Sequence, residues 1–224
     1  MRLLSPLEAR VLGVLVEKQH TVPDTYPMSL NALVGGCNQK TARNPVIEAL
    51  DADVLTALDG LKGLSLVFEG SSTRVVKFEH NAARVLLVPS QAVALLAVLM
   101  LRGPQTAAEL RLNCERLHRF ADISSVEGFL NELAEKATPM VLKLPRAAGE
   151  REARWAHLLC GEVTLPAGRV MASDDAVSSG ELAALRAEQT RLAAEVSDLR
   201  QLVRRMAREL GMDADTQADG PPAT

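Results

Sequence analysis

The segment LSLVFEGSSTRVVKFEH, residues 64–80, decides the fold because two short apolar runs flank a polar turn in it. The run before the turn and the run after it both carry Val and Phe, which are enriched in β-strands. The Gly-Ser-Ser-Thr sequence between them supplies residues that favour turns. The segment therefore predicts a two-stranded β-hairpin.

Three helical patterns precede this hairpin. The first begins at Ser5-Pro6-Leu7-Glu8, where Ser is placed as the N-cap, Pro as the first helical residue and Glu as its capping-box partner. A short second helix is predicted over about 29–37, and a third begins at Asp51. Three helices followed by a hairpin is the order of elements in a winged helix.

The same pattern recurs in the second half of the chain. Thr106-x-x-Glu109 and Ser124-x-x-Glu127 are capping boxes for its helices, and a second hairpin is predicted around 140–155. The residues that correspond are Leu33 and Cys37 with Leu110 and Cys114, Val54, Leu58 and Leu61 with Val126, Leu130 and Leu133, and Phe78 and His80 with Trp155 and His157. A long internal repeat is a strong organisational signal. The prediction is a mainly α fold with small β-hairpins (α+β), built as two tandem winged-helix domains at residues 1–85 and 86–162.

Composition limits the classes of function. The 224 residues are 47% hydrophobic with a formal net charge of −3, so any contact with nucleic acid must come from a local basic patch. Three scattered cysteines without a C-x-x-C motif are typical of a reducing compartment. The most apolar run, residues 92–101, is far shorter than the roughly 20 residues of a membrane span. These features predict a cytoplasmic protein that does not enter a membrane.

The loop GGCNQKTARNP, residues 35–45, is the part of the sequence best suited to contact with a ligand. It supports three interpretations, namely a loop that grips phosphate, a metal or redox site, and a polar turn between two helices. The glycine pair lacks the strand–loop–helix context of a phosphate-binding signature, and the left-handed geometry that closes a helix explains it better. Cys37 is most simply a small buried thiol.

Charge is distributed unusually for a winged helix. The third helix of the first repeat carries Asp51, Asp53 and Asp59 against Lys62, and its counterpart carries three Glu against Lys136, so each sums to −2. Acidic groups on a helix that would normally enter the major groove repel phosphate. Cations and amides lie in loops and hairpins, which bind a nucleic-acid backbone without reading bases. The candidate nucleic-acid-binding residues are Asn38, Gln39, Lys40, Arg43, Arg74, Lys77, Arg116 and Arg119.

Catalytic chemistry has little support in the sequence. His80 and His157 occupy matching repeat positions, which shared ancestry explains as well as a metal would, and no zinc-ligand spacing accompanies them. Carboxylate pairs with a His or hydroxyl partner are not evident. The sequence therefore predicts no catalytic residues, no metal, no cofactor and no enzymatic activity.

The end of the chain is predicted to be a linker (163–180), a helix (181–211) and a disordered tail (212–224). Over the helix, apolar residues repeat every 3.5 positions, with Gln189 as one polar member, as in a coiled coil. The alternative is a single helix packed on its own body. The first interpretation predicts a homodimer whose seam consists of Leu182, Leu185, Leu192, Val196, Leu199, Val203, Met206 and Leu210.

Four stretches together carry a family resemblance: SPLEARVLGVLVEK (5–18), GCNQKTARNPV (36–46), SSTRVVKFEH (71–80) and RWAHLLCGE (154–162). Through them the chain resembles the YceH family of bacterial tandem winged-helix proteins, over about residues 3–163. The resemblance implies the fold and a cytoplasmic bacterial protein. It implies no biochemical activity.

Two functions fit these patterns. The first is a non-enzymatic, DNA-associated winged-helix protein, acting as a transcriptional regulator that contacts double-stranded DNA through loops and wings. It is preferred because the 35–45 loop concentrates donors, and it predicts that replacing Lys40 and Arg43 by Ala weakens duplex binding without changing the melting temperature. The alternative is a protein–protein interaction or scaffold module whose acidic third helices dock a protein partner.

Overall fold

The protein has a mixed α+β fold, seen in a computed structural model that describes residues 1–70, 75–146, 150 and 152–163. Contacts divide the chain into two units, Met1–Ala167 and Gly168–Thr224, and every feature given below belongs to the first. From residue 164 onward, the predicted linker, heptad helix and tail lie outside the described residues.

The first half of the described chain contains three helices and a three-stranded sheet. In chain order its elements are α1 (Pro6–Thr21), a 3-10 turn (Pro23–Thr25), β1 (Met28–Ser29), α2 (Leu30–Cys37), α3 (Asp51–Gly63), β2 (Val67–Gly70) and β3 (Lys77–His80). The predicted order of three helices and a hairpin is confirmed. Strand β1 is an addition, since its two residues are too few to produce a periodic signal.

The second half repeats that order after a short connecting helix. Its elements are α4 (Ala82–Leu86), α5 (Ser90–Arg102), α6 (Ala107–Asn113), α7 (Ile123–Ala134), β4 (Val141–Lys143) and β5 (Trp155–His157). The second predicted hairpin is therefore present. Helix α4 was not predicted, and it contains the predicted boundary between residues 85 and 86.

The two sheets have matching registers. In the first, the strand order is β1-β3-β2, and Phe78 on β3 pairs with Met28 on β1. In the second, β4 and β5 pair antiparallel, and an isolated bridge joins Gln105 to Trp155 on β5. Gln105 therefore lies beside β5 in the second sheet, as Met28 lies beside β3 in the first. Phe78 and Trp155, matched from the sequence, hold equivalent positions.

Two of the three predicted capping boxes are confirmed. The Ser5 hydroxyl accepts the Glu8 N–H at 3.1 Å, and the Thr106 hydroxyl accepts the Glu109 N–H at 3.1 Å. The predicted start at Ser124 is wrong. Helix α7 begins at Ile123, because the carboxylate of Asp122 accepts the N–H of Ser125 at 2.7 Å and adds a negative charge at the positive end of the helix.

One hydrophobic cluster extends through both halves. Helices α1 and α5 pack on each other at its centre, where residues 11–16 and 92–101 are buried. The matched pairs Leu33 with Leu110 and Cys37 with Cys114 are fully buried. The repeat therefore supplies equivalent core positions, and the predicted division at 85/86 falls within a shared core.

The glycine pair after Val34 packs helices instead of closing one. Gly35 and Gly36 both lie inside α2, and among the described glycines it is Gly103 and Gly161 that have positive φ. The left-handed interpretation of the pair is therefore wrong. A Cβ on Gly36 would lie 2.6 Å from Cγ1 of Val14 on α1, whereas a Cβ on Gly35 would meet nothing within 4 Å.

This contrast predicts opposite effects for two neighbouring substitutions. Gly36→Ala is expected to lower the free energy of unfolding by about 1–3 kcal/mol, because the added methyl group pushes α2 away from α1. Gly35→Ala is expected to raise it by up to about 1 kcal/mol through helix propensity alone. Urea unfolding of both variants measures the two values. Shifts of the same sign would contradict the packing of α2 against α1.

Candidate functional site

The loop between α2 and α3 is held together by a buried arginine. The side chain of Arg43 has 0% exposure, and its guanidinium lies against the carboxyl end of α2. A fully buried guanidinium is not presented to a phosphate on the surface, which argues against the predicted nucleic-acid contact of Arg43. The residue has a structural role instead.

All five N–H groups of Arg43 have acceptors. Nε donates to the Gly36 carbonyl at 3.1 Å. Nη1 donates to the Ala42 carbonyl at 2.8 Å and to Oε1 of Glu17 at 3.1 Å. Nη2 donates to Oε2 of Glu17 at 2.6 Å and to Oε1 of Gln39 at 2.9 Å. The Arg43 guanidinium and the Glu17 carboxylate thus form a bidentate ion pair that joins the loop to α1.

Glu17 stays ionised in this pair. Burial alone would raise the pKa of its carboxyl group, but the hydrogen bonds and charges of Arg43 and Lys18 together outweigh burial, so the pKa is lowered. Lys18 adds a second cation, with Nζ 3.2 Å from Oε2 of Glu17. The pair is therefore charged on both sides under neutral conditions.

The two amides of the loop are also engaged. Asn38 exchanges two hydrogen bonds with the backbone of Ala49, donating to its carbonyl at 2.9 Å and accepting its N–H at 2.8 Å. Oε1 of Gln39 accepts from Arg43 and, at 3.3 Å, from Lys18. The predicted role of Asn38 as a phosphate donor conflicts with its bonds to Ala49. Of the four predicted loop residues, Lys40 is the exposed one, and the loop is a polar turn that closes α2.

The other predicted cations lie on separate elements. Lys77 is half-buried on β3, and Arg74 lies outside the described residues. Arg116 and Arg119 follow α6 and are exposed, with Arg119 86% exposed and 3.7 Å from Glu115. Within the described part of the chain, the Gln39–Arg43 bond is the one hydrogen bond or ion pair that joins two members of the predicted set.

The exposed side of α3 is acidic and partly apolar. Asp51 and Asp59 are exposed there, and Lys62 is drawn into ion pairs with Asp59 and with Glu69 of β2, both at 2.8 Å. Large apolar side chains lie beside these acids, since Leu50 is 69% exposed and Leu55 is 42% exposed. Pairing neutralises the cation of α3 and leaves a surface of negative and apolar character.

The matched cysteines are buried, and the matched histidines are half-buried. Burial raises the pKa of the Cys37 thiol to about 11 and of the Cys114 thiol to about 12, so neither is a thiolate at neutral pH. Burial lowers the pKa of His80 and of His157 to about 4. Among the described residues, no group of His, Cys, Asp and Glu is arranged to hold a metal ion. The buried-thiol interpretation of Cys37 is confirmed, and Cys114 is buried in the same way.

None of the helices described is both long enough and apolar enough to span a bilayer. The eight seam residues from Leu182 to Leu210 lie outside the described residues.

Comparison with known proteins places the chain in a family. A family model described as "protein of unknown function, DUF480" matches residues 4–150. This chain belongs to the DUF480 family. Close relatives are UPF0502 proteins of Burkholderia multivorans, 67% identical over 221 residues, and of Burkholderia lata, 66% identical over 221 residues. Each alignment covers 98% of this chain and 94% of the relative.

A second buried arginine of this DUF480 protein was missed in the sequence. Arg10 on α1 is 4% exposed, and it donates to the Pro45 carbonyl at 2.6 Å and to the Cys37 carbonyl at 3.4 Å. Together with Arg43 it satisfies the last carbonyls of α2, where cations also complement the helix dipole. The available signal was a single cation directly before the apolar run 11–16 of α1.

Proposed function

We propose that this DUF480 protein is a YceH-like, cytoplasmic pair of winged-helix domains, residues 1–85 and 86–162, that acts without catalysis by docking a protein partner. The docking face is the exposed side of α3, defined by Leu50, Asp51, Leu55 and Asp59. Its partner is a basic segment that also presents apolar side chains. This choice reverses the preference for DNA, because the loop on which that preference depended is bonded internally.

The observation that carries the proposal is the combination of exposed leucines and acids on one helix. Leu50 and Leu55 expose large apolar surface that a protein partner would remove from water. Asp51 and Asp59 beside them favour a cationic partner and repel phosphate. In a winged helix this helix normally enters the major groove, so its charge argues for a protein as the partner in place of DNA.

The second repeat offers a weaker version of the same face. Ile123 at the start of α7 is exposed, and Glu132 and Glu135 are exposed near its end. The partner is expected to bind the α3 face more strongly, because α7 carries a single exposed large apolar residue, whereas Leu55 on α3 and its N-cap residue Leu50 are both exposed.

DNA association is the second candidate, favoured by the exposed cations Lys40, Arg116 and Arg119. If three such cations contacted phosphates, raising salt from 50 to 200 mM would weaken duplex binding about 40-fold, given a slope of about 0.9 per phosphate. Homodimerisation through the predicted 181–211 helix would serve either function, since two copies bind a repeated partner more tightly than one.

Site-specific photo-crosslinking in the full chain tests the docking face. A photoreactive phenylalanine analogue replaces Leu55 in one variant and Leu87, which is 80% exposed outside α3, in a matched control. We expect crosslinks to a basic protein from position 55 in extracts of the source cells, and few from position 87. Adding Asp51→Lys and Asp59→Lys is expected to abolish the crosslinks from position 55, because like charges then repel the partner.

A duplex titration at 50 and 200 mM salt separates the two candidate functions. We expect weak duplex binding that changes little with salt and with Lys40→Ala. Tight binding with steep salt dependence, lost in Lys40→Ala, would reject docking in favour of DNA. Equal crosslinking from positions 55 and 87 would reject the α3 face as a specific site.

A further inference from the structure

A cavity of about 460 Å³ lies between α1, the loop after α2, the end of α5 and the segment that follows β5. Its volume is in the range of small-molecule sites. The walls are mostly apolar, with Leu7, Ile47, Leu99 and Met100 among them. Residues of both repeats line it, so a bound molecule would contact both halves of the protein.

The charge of Arg10 lines this cavity without a carboxylate partner. Arg2, Arg43 and Arg154 each form an ion pair with a glutamate, whereas the structure, over the residues it describes, gives Arg10 two carbonyl acceptors and no ion pair. Arg10 is nonetheless 4% exposed and lies close enough to Arg43 for the second cation to lower its pKa further, after burial. A buried guanidinium in these surroundings is best compensated by an anion.

A second polar group of the cavity, on His157, has no hydrogen-bond partner within the described residues. This group is the ring nitrogen Nδ1, which is buried. The ring is neutral at physiological pH because burial lowers its pKa to about 4. A neutral imidazole carries one N–H, which can donate to a ligand oxygen. Asn44 supplies a side-chain amide to the same cavity.

The rim of the cavity limits the charge of the ligand. Glu48 and Asp53 line it and are exposed. A second negative charge on the ligand would be repelled there, whereas a single carboxylate at Arg10 would leave only the apolar body of the ligand near the rim. Guanidinium is also the group best matched to a carboxylate, through two parallel N–H bonds.

We propose that this cavity binds a small monocarboxylate with an apolar body, its carboxylate held by Arg10 and His157. The apolar body contacts Leu7, Ile47 and Met100. This site lies apart from the α3 face and does not depend on the docking proposal. It makes the protein responsive to a small organic acid.

Isothermal titration of the full chain with phenylacetate tests the site. Two matched probes accompany it: 2-phenylethanol, which lacks the charge, and phenylmalonate, which has a second carboxylate. We expect phenylacetate to bind at sub-millimolar concentration and each of the other two to bind at least 10-fold more weakly. Equal binding of phenylacetate and 2-phenylethanol would reject the role of Arg10.

Variants assign the binding to the cavity. Arg10→Met is expected to weaken phenylacetate binding at least 10-fold, whereas Arg84→Met, at an exposed arginine on α4, is expected to leave it unchanged. Because Arg10→Met also removes two bonds to the α2 loop, Ile47→Trp provides an independent variant that fills the cavity and spares Arg10. Phenylacetate binding that survives Ile47→Trp would overturn the proposal. A wild-type protein that binds no phenylacetate at concentrations up to about 5 mM would overturn it as well.

Discussion

Arg43→Ala is expected to lower the free energy of unfolding by about 3–5 kcal/mol, the usual cost of breaking a buried ion pair from one side. The Glu17 carboxylate would remain largely buried without its main cation, since its side chain is 16% exposed. The carbonyls of Gly36 and Ala42 would lose a donor, and a cavity would form where the guanidinium had been. These losses act in the same direction.

Thermal unfolding and urea titration measure this effect. For a domain of this size, 3–5 kcal/mol corresponds to a fall in melting temperature of about 6–20 °C. The matched control is Lys40→Ala, three residues earlier in the same loop, which is expected to change stability by less than about 0.5 kcal/mol because its side chain is exposed. An Arg43→Ala protein with the same melting temperature as the wild type would contradict the buried position of Arg43.

Glu17→Gln is expected to destabilise the fold as well, because it leaves the Arg43 charge unpaired. If the two residues act as a pair, the loss in the double variant is smaller than the sum of the two single losses. The destabilisation expected for Arg43→Ala reverses the expectation, drawn from the sequence, that Lys40 and Arg43 can both be replaced by Ala without a change in melting temperature. A loss of duplex binding in the Lys40→Ala/Arg43→Ala variant would therefore report unfolding. Lys40→Ala alone is the substitution that tests whether the loop binds DNA.

The order of elements was predictable because it depends on local signals. Capping boxes at Ser5 and Thr106 and apolar periodicity at residues such as Leu58 and Leu130 are read within one or two helical turns. The correspondence of Phe78 with Trp155 followed from two copies of one pattern. Strand β1 escaped prediction because it forms by pairing with β3, about 50 residues away, and not from its own two residues.

The roles of loop residues were not predictable in the same way. Lys40 and Arg43 are both cations in one polar loop, and nothing within that loop distinguishes them. Arg43 is buried because its acceptors lie elsewhere, above all Glu17, 26 residues earlier on α1. The burial of Arg10 likewise depends on carbonyls near residue 40, which helical periodicity in α1 does not reveal. Charge is visible in a sequence, but its partners are set by tertiary structure.

Lowering the pH from 7 to 5 is expected to destabilise the protein by about 1–2 kcal/mol for each of His80 and His157. Burial is the main cause that lowers both pKa values to about 4, and His20 contributes at His80. In the unfolded chain each histidine takes up a proton below about pH 6.5, whereas the folded protein keeps it neutral until about pH 4. Stability is therefore lost as pH falls through this window.

The structure shows why protonation is resisted at both positions. Nδ1 of His80 accepts the N–H of Ala82 at 3.3 Å, and a proton on that nitrogen would abolish the bond. At His157, burial disfavours the second proton, because the charged imidazolium would lose solvation by water. The Glu17 carboxyl group, whose pKa is lowered, stops contributing only below its ordinary value near 4.5. The interval from pH 7 to 5 therefore isolates the histidines.

Urea unfolding at pH 7 and pH 5 measures the difference for each variant. His80→Gln and His157→Gln are each expected to remove about half of it, because glutamine does not titrate, and Lys40→Ala is expected to leave it intact. The pH-dependent difference, and not stability at one pH, is the decisive quantity, since either substitution also changes packing. A wild-type protein equally stable at pH 7 and pH 5 would mean that both rings are protonated as easily in the folded state as in the unfolded chain, contrary to their burial.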